Sequence, residues 1–170
     1  MRVYVACLAA YNNGHLHGEW IDVDDADTMR EKVAAMLAKS PIPNAEEWAV
    51  HDYDGIPSAF GEYPDFAELA AYKDLVEEHD EDLVKAAHDV SDYHASVADI
   101  AETIRDRYAG QGDTLTDWCE QFADDTGMLD KMPENLRQYF DFGAYALDLE
   151  LGGDIATSRQ GGTVYVFWNH

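Results

Sequence analysis

A few groups of residues in this chain have types and spacings that could do chemistry. His15 and His17 stand two positions apart and would share one face of a strand, as metal ligands sometimes do. No third His or Cys follows at a recognisable ligand spacing, so both read as surface or turn histidines rather than as a zinc site. Asp22, Asp24, Asp25 and Asp27 begin like a calcium-binding loop, yet the glycine at loop position six and the bidentate glutamate at twelve are missing. Asp52-Tyr53-Asp54-Gly55 fails the same test. His51, His79, His88 and His94 sit among acids, with no plausible Ser or Cys nucleophile beside them. Cys7 and Cys119 form no CxxC pair and read as reduced, partly buried thiols.

Known catalytic and cofactor signatures are missing as well. The chain contains no GxSxG elbow, P-loop, GxGxxG or HExxH, so neither an enzyme nor a cofactor is expected. Paired carboxylates are so frequent that picking one pair as a glycosidase site would carry no information. The acid itself is the anomaly. Asp and Glu number 35 against 11 Lys and Arg, a formal net charge of −24 in 170 residues. Nucleic acid and anionic membrane surfaces would repel such a chain, so its natural partners are basic. With 46% apolar residues it can still bury a core. No secretory leader and no apolar run of about 20 residues is present, which makes a soluble, cytoplasmic protein the expectation.

The elements that must carry this charge follow from pattern. Arg2 to Ala9 reads as a strand, Asn12-Asn13-Gly14 as a turn, and Leu16 to Val23 as the hairpin partner, with Trp20 as a core anchor. Thr28 with Glu31 suggests a capping box for a helix carrying Met29, Val33, Met36 and Leu37 inward, ended by Pro41 and Pro43. Glu47 to Tyr53 reads as a third strand. Pro64 should open a helix burying Phe66, Leu69, Ala70 and Val76, and Glu77 to Asp82 should be a connector or the end of one helix and the start of the next. Further helices carry Leu83, Val84, Ala87 and Val90, then Val97, Ile100, Ala101 and Ile104, the latter stopped by Gly110. Thr114 with Asp117 caps a helix presenting Leu115, Trp118 and Phe122, closed by Gly127. Glu134 to Phe140 and Asp141 to Leu151 read as two more helices. A hairpin from Ile155 to Trp168 turns at Gly161-Gly162. The expected fold class is α+β, in three consecutive lobes: an α/β lobe over 1–61, an acidic helical bundle over 62–106 and an α+β lobe over 107–170. Their net charges are −6, −11 and −7.

Duplex DNA carries one negative charge per about 1.7 Å, so −24 corresponds to roughly 40 Å of duplex. A globule of this length is also about 40 Å across. Composition therefore permits carboxylates to stand in for phosphates. Two alternatives remain open at this point: a metal-dependent hydrolase binding a cation through Asp22, Asp24 or Asp52, and a salt-adapted acidic binding module.

Three blocks of sequence carry a resemblance. Tyr11-Asn-Asn-Gly14 with Leu16-His-Gly18 and Trp20-Ile-Asp22 is the first, and Glu46-Glu-Trp-Ala-Val-His-Asp-Tyr53 the second. The third is Tyr139-Phe-Asp-Phe-Gly-Ala-Tyr145 through Asp148-Leu-Glu-Leu-Gly-Gly-Asp154 to Val164-Tyr-Val-Phe167. Together they resemble the ArdA antirestriction family from end to end. Members are non-catalytic DNA mimics, often carried on plasmids and conjugative transposons, that bind type I restriction–modification enzymes in place of DNA. The resemblance implies an elongated chain of three lobes that forms a homodimer through the C-terminal lobe. It assigns antirestriction activity or the dimer contact to the segment bearing Tyr139, Phe140, Asp141, Tyr145, Asp148, Glu150 and Asp154. The partner it implies is the methyltransferase core of a type I enzyme, with no direct nucleic-acid or membrane binding. Phosphate-like carboxylates would be Asp22, Asp24, Asp25, Asp27, Glu46, Glu47, Asp52, Asp54, Glu62, Asp65, Glu68 and Asp74 in the first part of the chain. In the middle they would be Glu77, Glu78, Asp80, Glu81, Asp82, Asp89, Asp92, Asp99, Glu102 and Asp106, and further on Asp113, Asp117, Glu120, Asp124 and Asp125.

Overall fold

The computed structural model describes residues 1–92 and 95–169; His94 lies outside them. Among the described residues are eight α-helices and two three-stranded antiparallel sheets, an α+β fold. The chain divides into two compact units, Met1–Asp74 and Leu75–His170.

The first unit is built on strands β1 (Arg2–Cys7), β2 (Gly18–Asp22) and β3 (Trp48–Asp54), in the order β2-β1-β3. β1 and β2 pair as the sequence suggests, from Arg2 opposite Asp22 to Ala6 opposite Gly18. Their link is not a tight turn, however. Leu8–Asn12 forms a short helix, α1, because the Cys7 thiol accepts from the Ala10 amide and caps it. Gly18 must be glycine: a Cβ there would lie 2.5 Å from the Val5 carbonyl oxygen. Val3, Val5 and Ile21 point into the core, so Tyr4 and Trp20, one residue out of phase, point away from it. Trp20 is thus 41% exposed and is no core anchor. It is covered on the outer face by Tyr4, at 5.5 Å between ring centroids, and by the Arg2 guanidinium at 4.9 Å.

Helix α2 (Ala26–Ala38) buries Met29, Val33 and Met36 against this sheet. Its cap is Asp25, not Thr28. The charged Asp25 carboxylate accepts from the Asp27 and Thr28 amides, and the Thr28 hydroxyl donates to it at 2.6 Å. β3 carries an irregularity opposite Tyr4 and Val5 that leaves His51 unpaired, and the Tyr11 ring meets it edge-on at 5.3 Å. Helix α3 (Phe66–Glu78) starts two residues after Pro64, with the Asp65 carboxylate accepting from the Ala67 amide. It buries Phe66, Leu69, Tyr72 and Leu75, while Ala70 and Val76 are only half-buried.

In the second unit β4 (Tyr108–Gly112), β5 (Ile155–Gln160) and β6 (Thr163–Trp168) form a sheet with β6 at the centre. β4 was hidden in sequence. Helix α5 (Val97–Arg107) ends at a change of structure rather than at a glycine cap, and Gly110 sits at a register shift within β4 with φ of +118°. Helices α6 (Leu115–Thr126) and α8 (Phe142–Gly152) cover one face, enclosing Trp118, Cys119, Ala146, Ile155, Val164 and Val166. Helix α4 (Glu81–Asp89), with α5, covers the other. A strand covered on both faces needs no polar alternation, which is why Val164, Tyr165, Val166 and Phe167 are all buried in succession. A short helix, α7 (Glu134–Arg137), is all that forms of the expected Glu134 to Phe140 element.

Candidate partner-binding surface

Not one of the 35 carboxylates is buried; among the described residues the buried polar side chains are Thr103 and Ser158. An unpaired charge in a core would cost several kcal/mol, so the acid had to be placed outside. In the first unit Asp22 ends β2, and Asp24, Asp25 and Asp27 surround the start of α2. Glu46 and Glu47 precede β3, Asp52 and Asp54 lie on it, and Glu62, Asp65, Glu68 and Asp74 lie before or on α3. In the second, Glu77 and Glu78 end α3, and Asp80, Glu81, Asp82 and Asp89 run along α4. Asp92 follows that helix, and Asp99, Glu102 and Asp106 occupy α5. Asp113 precedes α6, which carries Asp117, Glu120, Asp124 and Asp125.

These carboxylates do not share one role. Asp25, Asp65, Asp80, Asp99, Asp117 and Asp141 accept backbone amides at or near helix starts. The Thr114–Asp117 capping box forms as expected, and a second one, Ser96 with Asp99, went unread. Hydrogen bonds from Ser96 hold the Asp99 carboxyl below the usual carboxylate range, and those from Thr28 do the same for Asp25. Two more carboxylates join elements. Asp89 accepts from the Ser158 hydroxyl and the Gln160 amide at 2.7 Å each, and Glu150 accepts from the Thr157 hydroxyl at 2.6 Å. Asp27, Asp54, Glu81 and Asp106 are paired with Arg30, Arg2, Lys85 and Arg105.

What remains is uncommitted. Among the described residues, the side chains of Asp22, Glu31, Glu46, Glu47, Glu62, Asp74, Glu78, Asp82, Asp92, Asp113, Glu120, Asp124, Glu134, Asp148 and Asp154 make no hydrogen bond or ion pair. On α5, Asp99, Glu102 and Asp106, engaged by Ser96 and Arg105, follow one another at helical spacing and with Asp92 and Arg107 line an open groove of about 580 Å³. Glu120 and Asp124 lie one turn apart on α6.

Each of the three sequence blocks makes contacts that position neighbouring elements. The first two meet where Tyr11 packs on His51 and the Leu8 amide donates to the Glu47 carbonyl. The Tyr53 hydroxyl donates to the Gly61 carbonyl, and burial pushes its pKa up to about 12. In the third, Asp141 caps α8, and Phe140 packs on Phe142 and Tyr145 at 4.9 and 5.6 Å. The same segment carries exposed apolar side chains: Tyr139 is 77% and Leu151 76% exposed, and Leu136 and Leu147 are exposed too. Such exposure was not legible in the sequence of α8, whose apolar residues are spread around the helix and not gathered on one face. Cys7 and Cys119 are free thiols, each fully buried in its own unit. Among the described residues no three His, Cys, Asp or Glu side chains come together where they could hold a metal ion. No helix among them is long and apolar enough to cross a membrane.

Fold and surface together define an acidic α+β protein that displays its charge and keeps much of it unpaired. The chain belongs to the ArdA antirestriction protein family, whose model matches residues 3–164. No curated protein matches it.

Proposed function

We propose that this antirestriction protein is a non-catalytic mimic of double-stranded DNA. It occupies the DNA-binding groove of type I restriction–modification enzymes, in the cytoplasm where they act, and inhibits restriction and with it modification. The observation that carries this reading is the placement of the acid: a formal −24, none of it buried, with fifteen carboxylates free of any described hydrogen-bond or ion-pair partner. On a helix, carboxylates three or four residues apart are offset by about 4.5–6 Å along the axis. Phosphates along one DNA strand are offset by about 3.4 Å, the same order. Lysines and arginines that hold phosphates would meet carboxylates at comparable spacing, and released counterions would favour association.

All three lobes inferred from the sequence, 1–61, 62–106 and 107–170, contribute to this surface. The homodimer forms through the apolar surface of Leu136, Tyr139, Leu147 and Leu151, which supports that contact by its exposure. The decisive experiment titrates the purified protein against DNA bound to a type I methyltransferase core at physiological salt. Displacement is expected, weakening stepwise as uncommitted carboxylates are neutralised in blocks; each single Asp→Asn change costs under about 1 kcal/mol. Failure to displace DNA from any such enzyme would overturn the proposal.

A further inference from the structure

The first unit carries a cleft whose lining is not simply acidic. Leu8, Glu46, Glu47, Trp48 and Tyr63 enclose an open space of about 360 Å³. Pockets for small ligands begin at about 300 Å³, so this one takes a single long side chain rather than a helix or a strand. The Trp48 and Tyr63 rings stand 6.4 Å apart at 55°, forming an aromatic wall. Phe66 stacks on Trp48 at 5.1 Å and braces it without lining the cleft. Tyr63 is 65% exposed, so the face turned away from Trp48 is open to a partner's side chain.

The two carboxylates at the rim are the informative part. Neither Glu46 nor Glu47 has an ion-pair or hydrogen-bond partner among the described residues. Of the other cations of this unit, Arg2 pairs with Asp54, Lys32 with Asp24 and Lys39 with Glu19; Arg30 pairs with Asp27 and lines a neighbouring hollow with Glu46 and Trp48, forming no ion pair with Glu46. An apolar occupant would strip water from two carboxylates without replacing it. A planar guanidinium satisfies both surfaces at once, stacking on an aromatic face while its N–H groups donate to carboxylates. The same unit already contains such an arrangement. Arg2 lies 4.9 Å over Trp20 while its Nε donates to Asp54 at 2.8 Å.

We propose that the Trp48–Tyr63 cleft, with Glu46 and Glu47 at its rim, is a socket for an arginine side chain of the partner protein. The inference rests on the reading of the protein as a ligand for a basic groove, and it adds an aromatic contact to a surface otherwise recognised by charge. It gives the Glu46–Tyr53 block a recognition role besides its structural one.

Amide and indole NMR spectra of the full chain, titrated with N-acetyl-arginine amide, test it. Saturable shifts are expected at the Trp48 indole and at Leu8 and Glu47, with the lysine analogue weaker and the neutral citrulline analogue about tenfold weaker. Glu46→Gln with Glu47→Gln should weaken arginine binding ~5-fold, and Tyr63→Ala ~3-fold. The exposed control pair Asp124→Asn with Asp125→Asn removes two carboxylates of the displayed surface and should leave the arginine shifts at Trp48 unchanged. Because Glu46 and Glu47 are exposed and unpartnered, their variant stays folded even if Tyr63→Ala does not. Shifts spread evenly over the acidic surface, equal loss in the control pair, or equal binding of citrulline would each overturn the socket. DNA displacement by the wild-type chain is read separately. Displacement without localised arginine shifts refutes the socket alone, and localised shifts without displacement refute the mimic reading alone.

Discussion

Asp89 separates the carboxylates that build the fold from those that face a partner. It is the last residue of α4, and its Oδ2 accepts from Ser158 and Gln160 of β5, each at 2.7 Å. Ser158 is only 8% exposed, so its hydroxyl has little access to bulk water once the carboxylate is gone. Hydrogen bonds to a charged group contribute about 1.5–3 kcal/mol each when protected. Asp89 itself is exposed, which pulls both towards or below the lower end, about 2 kcal/mol together. Two effects oppose this. A negative charge at a helix C-terminus is unfavourable by about 0.3–0.5 kcal/mol, and Gln160 also donates to Ser158 at 3.1 Å, retaining part of the network. Asp89→Ala should therefore cost about 1.5 kcal/mol and Asp89→Asn about 0.5 kcal/mol, because the amide keeps an acceptor but loses charge assistance. The assay is urea unfolding in a Trp20→Phe, Trp48→Phe background, where the remaining tryptophans, Trp118 and Trp168, report on the second unit alone. With a slope of about 1.5–2 kcal/mol/M, the Asp89→Ala midpoint falls by roughly 0.8–1 M. Asp92→Asn, exposed and without a described partner, should move it by less than about 0.2 M. If Asp89→Ala were indistinguishable from Asp92→Asn, or more stable than wild type, the division of carboxylates into structural and displayed groups would fail.

Thr114→Ala removes one half of the α6 capping box and should lower second-unit stability by about 1 kcal/mol in the same unfolding assay. Asp25, Asp99 and Asp106 have folded-state pKa values below the ordinary 3.8, so their hydrogen bonds and the Arg105 pairing stabilise fully above that value. That contribution fades as pH falls through the lowered values, and carbonyl NMR titration of these carboxyls should show midpoints below 3.8. Leu151→Asp places a charge at an exposed apolar position of α8 and should shift sedimentation towards monomer while changing the unfolding free energy by less than about 0.5 kcal/mol. The protein should also fold in low-salt buffer, with added salt raising its stability by screening self-repulsion; a need for molar salt would favour salt adaptation instead.

Local signals in this chain were legible and long-range ones were not. The cap at Asp141, the capping box at Thr114 and the closing hairpin depend on residues within a few positions of one another, so their chemistry is written consecutively. The misread cap at Thr28 is instructive, because two acceptors compete there and the charged one, Asp25, wins. Trp20 was misplaced because a large aromatic side chain favours burial in general, whereas its face is set by the phase of Ile21 against Val3. β4 escaped because Tyr108 to Gly112 has no strand-like composition of its own; it becomes a strand by pairing with β6.

By itself the sequence determined the charge, the α+β pattern, the local caps and the three blocks that mark the family. Each of these is a property of composition or of neighbours along the chain. Tertiary structure alone decided which carboxylates are spent. Asp89 finds Ser158 across 69 positions, while Glu46 and Glu47 find no partner and stand beside Trp48 and Tyr63. A side chain's commitments depend on what the fold brings within about 3 Å of it, and no count along the chain contains that distance.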